Sequence, residues 1–334
     1  MAFPDDVTLQ YPGKVNGAGE IDAMYLKLFA GEVARQYKRK LVALPFASAF
    51  TLTKGKSIQL PYFGKATARF QGLGVNILDE TNALLTSVAG AEKEIFADKT
   101  LVSALVVSEW DDILNHYSAR SIYADALGTA LAESVDNILM RLAILGARVA
   151  ADSIYTGHPG GNSVVNADAD DTATELIESI SDLRKKFDEK DVPMEHRVLV
   201  LKPAQMQLLV QNKDLFNADY TAGDNGDLAR GVVGKAFGFD LVQSTNMPST
   251  DLSATSAANL TNNKVATSGN SYAVNASTVV AIAFQRQGLA AVTARGMKME
   301  TDYKSELGAT LVKASHIMGF GYWRPECCGE IKLS

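Results

Sequence analysis

Residues Ser121 to Ala151 read SIYADALGTALAESVDNILMRLAILGARVAA. Within them Leu127, Leu131, Val135, Ile138, Leu142, Leu145 and Val149 recur every three or four residues. At ~100° per residue these side chains fall within an arc of about 80°. The spacing predicts one helix of roughly 45 Å at a rise of about 1.5 Å per residue. Ile122, Met140 and Ile144 form a second apolar group, so both flanks are expected to touch protein. A helix this long and this apolar reads as a spine, and the remaining segments are placed around it.

Downstream, Thr172-Ala173-Thr174-Glu175 is a capping box that opens a second helix. That helix is expected to bury Leu176, Ile180, Leu183 and Phe187 and to stop before Pro193. HRVLVLK (196–202) is a short strand, and Pro203 then suits the first position of the helix PAQMQLLVQNK. AFGFDLVQSTNMP (236–248) and STVVAIAFQ (277–285) read as further strands of the same α/β unit, with a Ser/Thr/Asn-rich surface loop over residues 249–275 between them. Past Gly288 two long β-like runs return, LAAVTARGMKMETDYK and ATLVKASHIMGFGYWRPECCGEIKL.

Upstream, GKSIQLPYFGKATARF (55–70) reads as a strand broken by Pro61 and Gly64, as an edge or an exposed hairpin would be. EKEIFADKTLVSALVVSEW (92–110) returns as strand, so the two runs predict a protruding hairpin. Isolated hairpins are marginal in water, and this one is expected to lie on something else. Residues 1–49 form an arm with little core of its own: a polar start, a helix over IDAMYLKLFAGEVARQYKRK with a basic last turn, then an extended run from Leu41 to Phe50.

Composition narrows the function. The chain has 334 residues, 47% of them hydrophobic and 21% charged, with a net charge of −6. That is ample for a core and excludes a disordered or highly charged tail protein. The acidic balance argues against a nucleic-acid binder that works through global charge. Its two cysteines, Cys327 and Cys328, are neighbours and cannot staple a fold. No secretory signal is legible, and no apolar run approaches the ~18 residues that cross a bilayer. The expectation is a soluble cytoplasmic chain with no membrane partner.

A search for chemistry finds none. Gly55-Lys56-Ser57 resembles the end of a phosphate loop, but Phe50 stands where the first glycine belongs. Gly72-Leu73-Gly74 lacks its third glycine and opens no helix. His116, His158, His196 and His316 are scattered without ligand spacing. Cys327 and Cys328 have no second Cys or His pair and read as small buried residues. Asp219, Asp224 and Asp227 fail the calcium-loop pattern and read as a solvated acidic loop. The expectation is no catalytic residue, no cofactor and no metal.

What stands out is charge layout. Residues 27–69 carry nine basic residues against one acid, Glu32, whereas residues 79–136 carry eleven acids and three bases, Lys93, Lys99 and Arg120. This predicts a self-complementary molecule whose basic arm and hairpin meet the acidic body of a neighbour. Head-to-tail contacts of that kind build rings or shells. Lys54, Lys56, Lys65 and Arg69, with Leu60, Tyr62 and Phe63 on the same loop, are the candidate inter-subunit contacts.

The order of arm, hairpin, spine helix, α/β unit and β return resembles the major capsid proteins of tailed bacteriophages, and three stretches narrow this to short-tailed podoviruses. GKSIQLPYFGKATA resembles the start of their extended loop. NHYSARSIYADALGTALAESVDNILMRLA carries an N-H-Y-x-x-R-S-x-Y run ahead of the spine helix, and MGFGYWRPECCGEI carries M-G-x-G and R-P-E-x-x-G. The resemblance runs in order across nearly the whole chain and lapses near residues 249–275.

It implies an α+β tailed-phage major-capsid fold with an N-terminal arm (1–50) and an extended loop (51–97). The peripheral domain would combine 98–194 with 288–313, and the axial domain 195–287 with 314–334. It implies a structural subunit, not an enzyme, that self-assembles as hexamers and pentamers into an icosahedral shell around double-stranded DNA, which it contacts without sequence specificity. Because the arm starts almost at Met1, a separate scaffolding protein is expected, together with a portal protein, assembly in the host cytoplasm and residence in the virion. Arg324, Pro325 and Glu326 match the terminal motif and are expected to be structural. The rivals are a bacterial nanocompartment shell enclosing enzyme cargo and a cytosolic α/β enzyme with a surface hairpin.

Overall fold

The computed structural model describes residues 32–38, 40–78, 88–108, 120–211, 226–227, 232–253 and 270–334. In chain order the first main strands are β1 (Ser48–Thr51), β2 (Ser57–Phe63), β3 (Gly90–Phe96), β4 (Leu101–Ser108), β5 (Asn162–Val165) and β6 (Arg197–Leu201). They continue with β7 (Lys235–Ala236), β8 (Phe239–Gln243), β9 (Val279–Gln285), β10 (Leu289–Lys304), β11 (Ala309–Tyr322) and β12 (Cys328–Lys332). Residues 32–38 are helical, and the labelled helices are α1 (Arg120–Ala147), α2 (Ala173–Glu189) and α3 (Pro203–Gln211).

Two sheets share these strands. A four-stranded sheet has the order β1-β10-β11-β4, and a six-stranded sheet has the order β5-β12-β9-β6-β8-β7. A separate pair, β2 with β3, makes the hairpin. Helix α1 joins the layers. Leu127 and Leu131 pack with Val107, Val312 and Ala314 of the four-stranded sheet. One turn further on, Val135, Leu139 and Ile144 share a core with Val198, Ile282 and Phe284 of the six-stranded sheet and with Leu289 and Phe320 of the other. A helix apolar on nearly every side is a buried helix, and here the second half of α1 is enclosed by both sheets.

The spine ends at Ala147, four residues before the predicted limit. Gly146 lies against Cys328, where a Cβ would come within 2.9 Å of Sγ, and the chain then turns so that Gly161 N donates to Val149 O. The extended run predicted from Leu41 is instead a 3-10 turn at Leu44–Phe46 followed by β1. The cause is Asp136, fully buried in the middle of α1, whose carboxylate accepts from Val42 N at 2.8 Å and Ala43 N at 2.9 Å. Those bonds hold the backbone in a turn, and Pro45 suits its start.

Helix α2 forms as its capping box predicts, with the Thr172 hydroxyl accepting from Glu175 N at 3.3 Å and Leu176, Ile180, Leu183 and Phe187 buried. Its apolar face meets Leu199, Leu201, Phe239 and Ala281, so α2 belongs to the six-stranded layer. The segment boundaries drawn from the sequence therefore cut across the layers. They group α2 with the spine, and they divide β11, which pairs with β10 from Tyr322 to Ala309 in a single ladder. The run 92–110 also divides, because it supplies β3 to the hairpin and then β4 to the four-stranded sheet. The loop after residue 249 is closed at its base, where Asp251–Leu252 pairs with Val274–Asn275.

Candidate functional site

The hairpin is where the molecule departs from a closed globule. Strands β2 and β3 pair antiparallel from Ser57↔Phe96 to Phe63↔Gly90, and alternation along β2 sends Leu60 and Tyr62 to one face and Gln59, Pro61 and Phe63 to the other. Leu60 and Ile95 pack with Ala290 and Val292 of β10, with Phe50, Leu52 and Trp323 alongside. Leu60 is only 5% exposed and Tyr62 4%. Of the three apolar side chains expected to face a neighbour, two are therefore occupied within this chain, and Phe63 alone is open, at 66%.

The root is seated on the run Gly319–Glu326. A Cβ on Gly319 would lie 2.0 Å from Phe96 O, so only glycine there lets the hairpin backbone come this close, and one on Gly321 would press on the Ile95 side chain at 2.8 Å. Trp323 Nε1 donates to Pro61 O at 3.2 Å, and the Lys93 ammonium sits 4.1 Å from the centre of the Tyr322 ring. Tyr62 Oη donates to Glu326 Oε2 at 2.5 Å. Burial, and then the Glu326 carboxylate, push the Tyr62 hydroxyl far above its ordinary value, which keeps it a donor. The motif that looked merely structural in the sequence is thus the hairpin's seat, and its spaced glycines were the available signal.

Beyond Gly64, whose N donates to Ala89 O at 2.8 Å, strand pairing stops. Residues 65–78 carry Phe70 and Leu73, both fully exposed, with Leu78 at 74%. The sequence reading missed these three, because without a strand or helix period nothing told buried from exposed. Lys54, Lys56, Lys65 and Arg69 are all exposed on the same arm. Lys65 pairs with Asp191 of its own chain, both side chains remaining about three-quarters exposed.

The acidic side of the charge pattern is thinner than its count. Asp136 is committed to the arm's backbone, and Asp98 accepts from Tyr272 Oη and Asn270 Nδ2. Glu92, Glu94, Asp125 and Glu133 remain exposed, while Asp79, Glu80, Glu109, Asp111 and Asp112 lie outside the described residues. Among the described residues no three His, Cys, Asp or Glu side chains gather as metal ligands. His158 and His316 are buried and His196 is exposed, whereas His116, Asp219 and Asp224 lie outside the described residues. Burial pushes His316 down to about 4 and the Cys327 thiol up to about 12. Such a thiol is unreactive at neutral pH. No helix among the described residues is long and apolar enough to cross a membrane.

Comparison with known proteins gives one answer. The Gp10A-like major capsid protein family matches residues 59–332. The major capsid protein of Escherichia phage T7 is 24% identical over 332 residues, covering 95% of this chain and 94% of that protein. That of Enterobacteria phage T3 is 25% identical over 336 residues, covering 96% and 94%. Among solved structures, the capsid of cyanophage P-SCSP1u superposes with a TM-score of 0.74 at 26% identity, covering 88% of each chain. A virus-like particle from Pyrococcus furiosus shares the fold alone, with a TM-score of 0.54 at 11% identity over 92% of this chain and 99% of that one.

Proposed function

The chain belongs to the Gp10A-like major capsid protein family, and from that premise we propose how its parts join one copy to the next. It is a structural protein of the virion's icosahedral shell and not an enzyme. The four-stranded sheet with α1 is the peripheral domain and the six-stranded sheet with α2 and α3 the axial one, and copies ring together as hexamers and pentamers. The hairpin is the reaching arm. The observation that carries this is its uneven burial: the root is locked by Ile95, Gly321 and Trp323, while Phe70, Leu73 and Leu78 at the far end have no cover. An apolar group held out from a rigid base marks an interaction site, and the body of a second copy is its occupant. Lys54, Lys56 and Arg69 then run over the neighbour's exposed Asp125 and Glu133 and set the register.

A separate scaffolding protein, a portal protein and double-stranded DNA on the inner face complete the reading, with assembly in the host cytoplasm. The likeness to a virus-like particle keeps one alternative in view, a shell around protein cargo. Electron microscopy of particles made with and without scaffolding protein tests the reading. Closed shells that package DNA are expected. Protein cargo would favour the alternative, and a monomer under every condition would overturn both.

A further inference from the structure

We propose that the Tyr62–Glu326 hydrogen bond is a latch that fixes the angle at which the hairpin leaves the subunit, and so the curvature of the shell. The inference rests on the shell reading above. Its grounds are the root's geometry. The bond joins residues 264 positions apart in sequence at 2.5 Å and is buried. It is the last side-chain tie on β2 before Gly64, where the hairpin's ladder closes.

Tyr62 is clamped on several sides. Its ring lies 5.5 Å from that of Tyr155 and 5.4 Å from that of His158, centre to centre, and the Arg324 guanidinium sits 5.5 Å from its centre. Asn162 Nδ2 in turn donates to Glu326 O at 2.7 Å, which ties the acceptor's backbone to β5 of the six-stranded sheet. Tyr62 is therefore linked to the axial layer, while its neighbour Leu60 rests on the other sheet.

Beside the latch lies open space. A cavity of about 390 Å³ is lined by Tyr62, Gly64, Tyr155, Lys190, Arg324 and Glu326. It is a cleft open to solvent on one side, edged by the exposed Phe63, Lys65 and Asp191, and at the arm's base it gives the arm room to swing once the bond is broken. Gly64 sits where that motion would start, with Tyr155 and Ala89 O just over 3 Å from where its Cβ would be. In this account Tyr62 and Glu326 are positioning residues: both are buried within their own chain, and they act through the direction of Phe70 and Leu73.

The test uses Tyr62→Phe, which removes one oxygen, and Glu326→Gln, whose amide oxygen still accepts. Hydrogen exchange is followed on the full chain below its assembly concentration. Tyr62→Phe should speed exchange in β2 and β3 about tenfold or more relative to β9, the scale of one lost hydrogen bond to a charged group. Glu326→Gln should be loosened less. Under wild-type assembly conditions Tyr62→Phe should give open or irregular particles in place of uniform shells. Unchanged exchange in the hairpin, equal loss of protection in β9, recovery only as unfolded protein, or the reverse order of the two variants would each overturn the latch. Uniform shells of wild-type diameter from a loosened hairpin would overturn its role in curvature while leaving the shell reading intact. A wild type that never forms shells would sink that reading, and exchange would still decide the latch.

Discussion

Strands β9 and β2 are both seven residues long, and they use their side chains in opposite ways. Every residue of β9, Val279 to Gln285, is buried, because α1 covers one face of the six-stranded sheet and α2 the other. In β2 only Leu60 and Tyr62 are buried, and Gln59, Pro61 and Phe63 face outward. The first pattern is that of a strand covered on both faces, and the second that of a strand lying on its own subunit with one face left for something else. The lesson is a division of labour. The two larger buried cores lie around α1 and α2, whereas the hairpin is buried at its root and exposed at its far end.

Breaking the β9 side should cost the fold most. Phe284→Ala, in the core shared by α1 and both sheets, is expected to lose ~3–5 kcal/mol, a large share of a domain's stability. Loss of soluble protein, or a much lower midpoint in urea, would show it; a midpoint like the wild type's would mean that the second half of α1 is not where the core lies.

Acid should cost less. His316, on β11 beside Tyr37, is held neutral by burial, with its value lowered to about 4 against an ordinary value near 6.5. The unfolded chain binds this proton between those limits and the folded chain does not. The histidine's contribution is thus present above about pH 6.5 and is lost as pH falls toward 4. His316→Phe, which keeps a ring against Tyr37, should flatten that part of the pH dependence of the melting temperature. An unaltered slope would show that buried carboxylates such as Asp136 dominate it.

Changing the hairpin's charge should cost the fold little. Lys54, Lys56, Lys65 and Arg69 all to Glu breaks exposed intramolecular pairs such as Lys65 with Asp191, and exposed pairs are worth only ~0.2–1 kcal/mol each. The variant should melt close to the wild type yet assemble poorly, and added salt should weaken wild-type assembly as the screening length shortens to ~8 Å near physiological ionic strength. Normal shells from the four-fold variant would leave the apolar residues as the sole grip.

The same contrast explains how far the sequence could be read. Where burial follows a period, it was legible: the 3.6-residue spacing of Leu127 to Leu142, the capping box at Thr172, and the unbroken apolar run VVAIAF. Charge clustering set residues 27–69 apart from the acidic stretch that follows, and M-G-x-G with R-P-E carried the resemblance near the end. What lay beyond reach was pairing across long separations. Nothing local in Tyr62 says that its partner is Glu326, or in Asp136 that it caps Val42 and Ala43. Counting acids could not show that Asp98 and Asp136 were already committed. Phe70, Leu73 and Leu78, with no period to place them, passed unmarked although they are the most exposed apolar groups of the arm.

Those residues carry the most direct test. Phe70→Ser combined with Leu73→Ser alters two fully exposed side chains, and surface changes of this kind move stability by only about 0.5 kcal/mol. Sedimentation velocity of this variant beside the wild type, under conditions where the wild type closes shells, separates folding from assembly. A folded variant that sediments as dispersed subunits while the wild type runs as large particles is the predicted result. Shells from the variant in wild-type yield would contradict the account, because the hairpin's far end would then grip nothing.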